Sequence, residues 1–330
     1  MIRARVTLSL ALAIGGCDST TPQPEPPVST STATLLTAQR YLDAGQFDQS
    51  EAILVAAMKS WPHDPSVHEL LARVDFGRGL QFHRGGLIDR GDAALSDALV
   101  HWRTACDLVP NAAPMRVSAG DVAAMIGRQD EARVFYAAAL EIDPSSGRAA
   151  LCLAQLEMEE HPQLARELLQ QALTHAGEVP EVHASLALLH ARADAPEAAR
   201  EAIARAVELG PELQAVRVMQ ARIERLLGNP TRGVEILSAL GPKAAGDRGV
   251  AWEAAACWTA IDRPDRVAEA WVTCFLANAH RTDAGELAAN AARAFTAAGD
   301  AVHAETWWRQ ARLLGVHERV DQSPEPASEP

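Results

Sequence analysis

Two histidines have the residue type and spacing that come nearest to a metal-binding pattern in this sequence. His183 and His190 are seven residues apart, which places them on one face of a helix. A zinc site needs three or four ligands, and no third ligand accompanies this pair. Phosphate-binding, dinucleotide-binding and serine-nucleophile motifs are absent as well. The sequence therefore predicts no enzyme, no metal and no cofactor, and it favours a packing role for both histidines.

Cys17 is the residue with the most specific predicted chemistry. It follows a basic start, Arg3 and Arg5, and an apolar stretch over residues 6–14 that is too short to span a bilayer. The four residues that end at Cys17, Ile-Gly-Gly-Cys, resemble the bacterial lipobox. The resemblance implies a signal peptide over residues 1–16, cleavage before Cys17, and acylation of Cys17, which anchors the chain in a membrane. The alternative is an ordinary secretory peptide with a chance cysteine, or a misassigned start codon.

The segments at both ends have the composition of unfolded chain. Residues 17–33 contain four prolines and almost no apolar side chains, and residues 316–330 form an acidic, proline-rich tail. The net charge is −13, and it becomes −15 when the predicted leader is removed. This charge argues against nucleic acid as a partner and against electrostatic binding to anionic lipid. Membrane attachment is therefore predicted to come from the lipid at Cys17 alone.

Four further cysteines lie inside helix-forming runs, at positions 106, 152, 257 and 274. An exported protein can form disulfides, and Cys257 and Cys274 are the best candidates for a pair. Sequence spacing does not show that two Cα atoms come within disulfide reach. The favoured interpretation is that all four act as small buried apolar residues.

Four prolines repeat at a constant interval and mark predicted helix starts. They stand 34 residues apart, and each precedes an apolar, helix-forming run; they are Pro162, Pro196, Pro230 and Pro264. Proline is favoured at the first position of a helix, where its missing N–H has no partner to lose. A recurring helix start with this period is typical of a stacked array of helix–turn–helix units. No alternating runs indicate strands, so the sequence predicts an all-α fold.

Small residues keep the same period and are predicted to lie where paired helices cross. In the second helix of each unit they are Ser50, Ala98, Ala132, Ala165, Ala199, Gly233, Ala268 and Ala304. In the first helix they are Ala38, Gly120, Ala187, Ala221, Ala256 and Ala292. Bulky residues are expected to fill the space between units, at Leu54, Trp102, Tyr136, Leu169, Ile203, Leu237 and Trp308.

With these features the chain resembles the tetratricopeptide repeat family. Residues 45–65, GQFDQSEAILVAAMKSWPHDP, and residues 127–146, GRQDEARVFYAAALEIDPSS, look like the second helix of that repeat and its exit. The resemblance covers residues 34–315 in about eight units and implies a right-handed superhelical solenoid. The second unit is about 14 residues too long. The extra residues, 77–92, contain five glycines and are expected to form a long helix end plus a loop, either a binding element or tolerated loop growth.

Aligning the units to the family pattern predicts which residues of the first helices line a concave groove. The candidates are Asp121, Met125, Leu188, Arg192, Arg222, Arg225, Glu253 and Arg293. Four arginines in an acidic chain suggest a ligand with carboxylates, because guanidinium groups bind carboxylates in a bidentate manner. The alternative is that these arginines only pair with helix-surface acids such as Glu224 and stay solvated.

The resemblance implies a protein-binding scaffold or adaptor. The lipobox implies that it is anchored to a bacterial membrane, inner or outer, with its folded part in the periplasm or outside the cell. The alternative function is a non-catalytic subunit or accessory factor of an envelope enzyme, such as a polysaccharide or glycosyltransferase complex.

Overall fold

The chain folds into a row of helices with no strand among residues 30–316, the part that the computed structural model describes. The predicted signal peptide, Cys17 and the tail from residue 317 onward lie outside the described residues. The helices are α1 Thr30–Asp43, α2 Phe47–Ser60, α3 Pro65–Arg84, α4 Ile88–Leu108, α5 Ala113–Met125, α6 Gln129–Ile142, α7 Gly147–Glu157, α8 Pro162–Ala176, α9 Pro180–Arg192, α10 Pro196–Leu209, α11 Gln214–Leu226, α12 Pro230–Ser238, α13 Pro242–Ala245, α14 Arg248–Ala260, α15 Pro264–Asn278, α16 Ala284–Ala297 and α17 Ala301–Leu313.

Consecutive helices pack as antiparallel pairs, and each pair packs on the next. Pairs 1 to 6 are α1–α2 through α11–α12; after the short α13, pair 7 is α14–α15 and pair 8 is α16–α17. The predicted helix starts are confirmed, because the four repeated prolines are the first residues of α8, α10, α12 and α15. The predicted all-α solenoid is therefore the observed fold. Helix α1 begins at Thr30, so the last residues of the predicted tether, 30–33, are helical.

The predicted crossing residues are buried. All eight small residues of the second helices lie in the interior, and so do those of the first helices except Ala256, which is only partly buried. Gly120 shows how close the helices come, since a Cβ there would lie 2.6 Å from Cε1 of Tyr136. The seven predicted bulky residues from Leu54 to Trp308 are buried as well. Both sets belong to the close-packed interior of the array.

The core runs along the array instead of forming one compact centre. One cluster of buried apolar residues extends from Ala72 to Ile223, and another from Ala251 to Ala311. A smaller cluster around Leu237 lies between them. The array is least regular here, because α12 has only nine residues and the chain then turns at Gly241, whose φ is +83°. Each pair is therefore stabilised mainly by its neighbours, as in other solenoids.

The extra residues of the second unit are mostly helical: the expected long helix end is present, but the expected loop is only a three-residue turn. Helices α3 and α4 contain 20 and 21 residues, and only Gly85, Gly86 and Leu87 separate them. Asp92 lies inside α4, which begins at Ile88. Gly85 and Gly86 end α3, whereas Gly79 and Gly91 lie inside the helices, where they allow α3 and α4 to pack closely upon each other. A Cβ at Gly79 would lie 2.8 Å from Cγ of Leu95.

Candidate functional site

Three of the eight predicted groove residues meet in one cluster. Arg222 and Arg225 are three residues apart on α11 and therefore share a face, and Glu253 lies on α14 of the next pair. The start of α14 is fixed by Asp247, whose side chain accepts hydrogen bonds from the backbone N–H groups of Gly249 and Val250. This cap directs the second turn of α14, with Glu253, toward α11.

Glu253 holds both arginines. Nε of Arg225 donates to Oε1 of Glu253 at 2.7 Å, and Nε of Arg222 donates to Oε2 at 3.0 Å. The Glu253 carboxylate is fully buried, whereas the two arginine side chains are 37 % and 25 % exposed, for Arg222 and Arg225 respectively. A buried carboxylate needs such partners, because its desolvation is costly when they are missing. The hydrogen bond to Glu253 raises the pKa of Arg225.

The cluster has an excess positive charge. Two guanidinium groups face one carboxylate, and Glu253 is the sole acidic partner of both among the described residues. Because each arginine uses its Nε atom for Glu253, the Nη groups remain at the partly exposed ends of the side chains. Glu253 is therefore a positioning residue for two cations that can still donate to a further anion.

Cys257 lies one turn after Glu253 on α14 and is expected to be unreactive. Burial and then the nearby Glu253 charge raise the pKa of its thiol to about 11. A thiol with such a pKa is protonated at neutral pH and is a poor nucleophile. Cys257 and Cys274 are both buried and free, so the candidate disulfide is not formed. Cys106 and Cys152 are free as well.

Asp121, another predicted groove residue, belongs to a separate hydrogen-bond network. Its carboxylate accepts from the Tyr136 hydroxyl at 2.9 Å and from Nη2 of Arg148 at 2.6 Å. Burial raises the pKa of Tyr136, and Asp121 adds to the effect. Asp121 therefore ties α5 to α6 and to α7 of the next pair, and its charge is matched within the array.

The remaining candidates do not converge on one site. Arg192 pairs with Glu159 at 2.9 Å, and the Glu159 side chain is 79 % exposed. Met125 is exposed, whereas Leu188 is only 6 % exposed and packs in the core. Leu188 is therefore not available to a ligand, because neighbouring helices cover its position. Arg293 donates to Asn290, and its guanidinium lies 5.6 Å from the centre of the Trp308 ring.

A second polar cluster, which the sequence patterns did not predict, surrounds Arg78 on α3. Arg78 contacts Asp48, Glu51 and Asp75 at 3.1, 2.6 and 3.4 Å. Burial raises the pKa of Asp75 to about 6, although the charge of Arg78 opposes the effect. The cluster borders an open cavity of about 750 Å³. The spacing of Asp75 and Arg78, three residues apart within an apolar run, was the available signal.

Among residues 30–316, no group of three or more histidine, cysteine, aspartate or glutamate side chains could hold a metal ion. His183 and His190 border the same surface cavity, together with Glu178 and Arg205. Burial lowers the pKa of His183. Within the same range, no helix is long and apolar enough to cross a membrane.

Comparisons with known proteins agree with this architecture. The tetratricopeptide repeat family model matches residues 35–81 and 153–213. The structure is similar to that of PilW, described as a widely conserved type IV pilus biogenesis factor, with 18% identity, 67% of this chain and 97% of that chain covered, and a TM-score of 0.51. It is also similar to a chain of the APC/C hetero-tetramer Cut9–Hcn1, with 14% identity, coverage of 84% and 48%, and a TM-score of 0.52.

A tetratricopeptide repeat protein from Parabacteroides merdae aligns over 88% of this chain and 95% of its own, with 16% identity and a TM-score of 0.49. No curated protein sequence matches this chain. At such low identities, the structural similarities show the fold alone.

Proposed function

This chain is a tetratricopeptide repeat protein, and we propose that it is a lipid-anchored scaffold that binds protein segments in the bacterial cell envelope. The fold itself is one that supports protein–protein interaction, since stacked helix pairs present an extended concave surface. We further propose that the chain has a protein partner, a lipid anchor and a location in the cell envelope.

The observation that carries the binding proposal is the cluster of Arg222, Arg225 and Glu253. Side chains that are already fixed lose little conformational freedom when a ligand binds, and this favours affinity. The buried carboxylate holds both guanidinium groups in place before any ligand arrives. Two fixed cations with one neutralising anion form a site for a carboxylate.

The ligand class that fits is an acidic segment or the C-terminal carboxylate of a partner protein. Each arginine has its planar end available while its Nε atom is held by Glu253. A carboxylate that contacts both ends would make charge-assisted hydrogen bonds to two successive turns of α11. The other predicted arginines contribute less, because Arg192 already has Glu159 as a partner and Arg293 is held by Asn290.

Capture of partners tests the binding proposal. The wild-type chain, the double variant Arg222→Ala/Arg225→Ala and the control Arg266→Ala are immobilised and incubated with detergent-solubilised membranes of the source bacterium. Arg266 is a suitable control, because it forms an exposed ion pair with Glu269 on α15, outside the cluster. We expect mass spectrometry to identify proteins that the wild type and the control capture but the double variant does not. Equal capture by all three proteins would reject this site.

The anchor proposal rests on the sequence, with Cys17 at the end of a lipobox-like stretch. We expect Cys17→Ser to abolish incorporation of labelled palmitate and to leave the precursor uncleaved by the lipoprotein signal peptidase. Cys106→Ser is the matched control, because Cys106 is buried in α4 and its loss leaves the leader unchanged. Normal processing and membrane retention of the Cys17→Ser protein would contradict the anchor.

A further inference from the structure

The extended hairpin, residues 77–92 at the ends of α3 and α4, is a rigid projection. Paired helices elsewhere in the described range have 9 to 15 residues, whereas α3 and α4 have 20 and 21. About seven additional residues lengthen each helix by roughly 10 Å. A Cβ at Gly91 would overlap the His83 ring, so the two helices are in close contact. Nε2 of His83 also lies 2.9 Å from the Asp92 carboxylate.

The tip of this hairpin contacts the turn between α15 and α16, residues 279–283. The backbone N–H of Thr282 donates to the Gly86 carbonyl at 2.8 Å. In the opposite direction, the backbone N–H of Ile88 donates to Oγ1 of Thr282 at 3.1 Å. Nη1 of Arg281 donates to the His83 carbonyl at 3.3 Å. These three hydrogen bonds attach the second helix pair to the turn that joins pairs 7 and 8.

Gly86 lets the tip approach the turn closely. Its φ is +77°, and a Cβ there would lie 2.8 Å from Cγ and 2.9 Å from Cα of Arg281. Gly127 ends the first helix of pair 3 with the same φ of +77°, but a Cβ there would meet nothing within 4 Å. The two glycines therefore share a backbone conformation and differ in what surrounds them. The close contact at Gly86 therefore results from its position beside the α15–α16 turn and not from its backbone conformation.

The contact joins residues that are far apart along the chain. The three bonds of the tip connect residues separated by 194 to 198 positions. Other side-chain hydrogen bonds within residues 30–316 join residues at most 35 positions apart, as expected for an array in which each pair touches its neighbours. Because pairs 2 to 7 are stacked in sequence, the tip contact closes them into a ring.

The closing contact is weaker than the interfaces it joins. Successive pairs are held by continuous clusters of buried apolar side chains. At the tip, by contrast, the interaction consists of three hydrogen bonds between polar groups, of which Thr282 is exposed, and Arg281 also pairs with Asp283 at 3.1 Å. Segments with few buried apolar contacts open at the lowest free-energy cost. The ring is therefore expected to open at the tip before any pair separates from its neighbour.

We propose that the extended hairpin is a reversible clasp that closes the solenoid and controls access to its concave side. In the closed state the curvature of pairs 2 to 7 is fixed by contacts at both ends. When the tip is released, the array is free to widen. A segment bound across the first helices of these pairs would favour one of the two states, and by linkage the state of the clasp would change its affinity. The closing contact itself does not depend on what the groove binds.

Amide hydrogen exchange at Thr282 reports the clasp directly, because this N–H donates to Gly86. The full chain in detergent is compared with Gly86→Ala and with the control Gly127→Ala, which introduces the same backbone strain in open space. We expect the Thr282 amide to exchange at least tenfold faster in Gly86→Ala and at the wild-type rate in Gly127→Ala. The proposal would be overturned if the Thr282 amide of the wild type exchanged as fast as an unprotected amide. Equal exchange rates in the two variants would overturn it as well.

Small-angle X-ray scattering tests whether the contact holds the ring. The radius of gyration should be larger for Gly86→Ala than for Gly127→Ala, with equal helix content by circular dichroism. Thr282→Val gives a second variant that removes the Oγ1 acceptor without changing a glycine, and it should shift the radius in the same direction. Equal radii for all variants, with the Thr282 amide released, would show that the tip does not restrain the array.

Discussion

At the scale of single residues, Glu253 has the most demanding environment in the described chain. It is fully buried, and both of its carboxylate oxygens accept from arginines of the neighbouring pair. Replacement by glutamine keeps the size but leaves two guanidinium groups without their anion. We expect Glu253→Gln to lower the free energy of unfolding by about 1–3 kcal/mol. Urea unfolding should show this loss, whereas Glu269→Gln in an exposed pair should change stability by less than about 0.5 kcal/mol. Equal midpoints would show that Glu253 is not held as described.

Asp75 gives a prediction of pH dependence. Burial raises its pKa in the folded protein to about 6, from an ordinary value of 3.8. A carboxyl group whose pKa is higher in the folded state stabilises the fold while it is protonated. This contribution to the free energy of unfolding is lost as the pH rises from about 4 to about 6. Asp75→Asn, which resembles the protonated form, should be more stable than the wild type by about 1–3 kcal/mol at pH 7.5. The difference should disappear near pH 4. A difference that is independent of pH would contradict this.

Which residues share a helix face could be predicted, but not how neighbouring pairs meet. Arg222 and Arg225 are three residues apart, so their shared face follows from the sequence, and the family pattern put Glu253 on the first helix of the next unit. The complete burial of Glu253 and of Leu188 depends on the packing of the next pair, which no spacing within one helix reveals. The alternative partner Glu224 accepts from Asn229 instead of from these arginines.

At the scale of helices, Ala199 tests the crossing within pair 5. It is fully buried in α10, where a large side chain has no room. Ala199→Trp should therefore lower stability by about 1–3 kcal/mol or more, with effects that spread to pairs 4 and 6. Arg200→Trp introduces the same side chain at the next, exposed position and should have little effect. Equal melting curves for the two variants would refute the assigned register.

Helix starts were easier to predict than the form of the extra residues in pair 2. Proline at the first position has a local cause, and the helices begin at all four repeated prolines. The five glycines of residues 77–92 suggested a loop after a long helix end, because glycine weakens an isolated helix. Contact between α3 and α4 outweighs this propensity within the helices, since Gly79 and Gly91 let them approach closely. Tertiary packing therefore decided the outcome.

At the scale of the whole molecule, the repeat predicts the array but not its closure. In a solenoid most contacts join neighbouring pairs, so a sequence period is enough to indicate the fold. The contact of Gly86 with Thr282 depends on curvature accumulated over five further pairs. Small rotations between successive pairs determine that curvature, and the sequence does not give them.

The central claim is that the arginines of α11 bind a carboxylate of a partner protein. The most direct measurement is calorimetric titration of a captured partner's acidic or C-terminal segment against the wild type, Arg225→Ala and Arg266→Ala. We predict at least a tenfold loss of affinity for Arg225→Ala, about 1.4 kcal/mol, and no change for Arg266→Ala. Unchanged affinity in Arg225→Ala would contradict the claim.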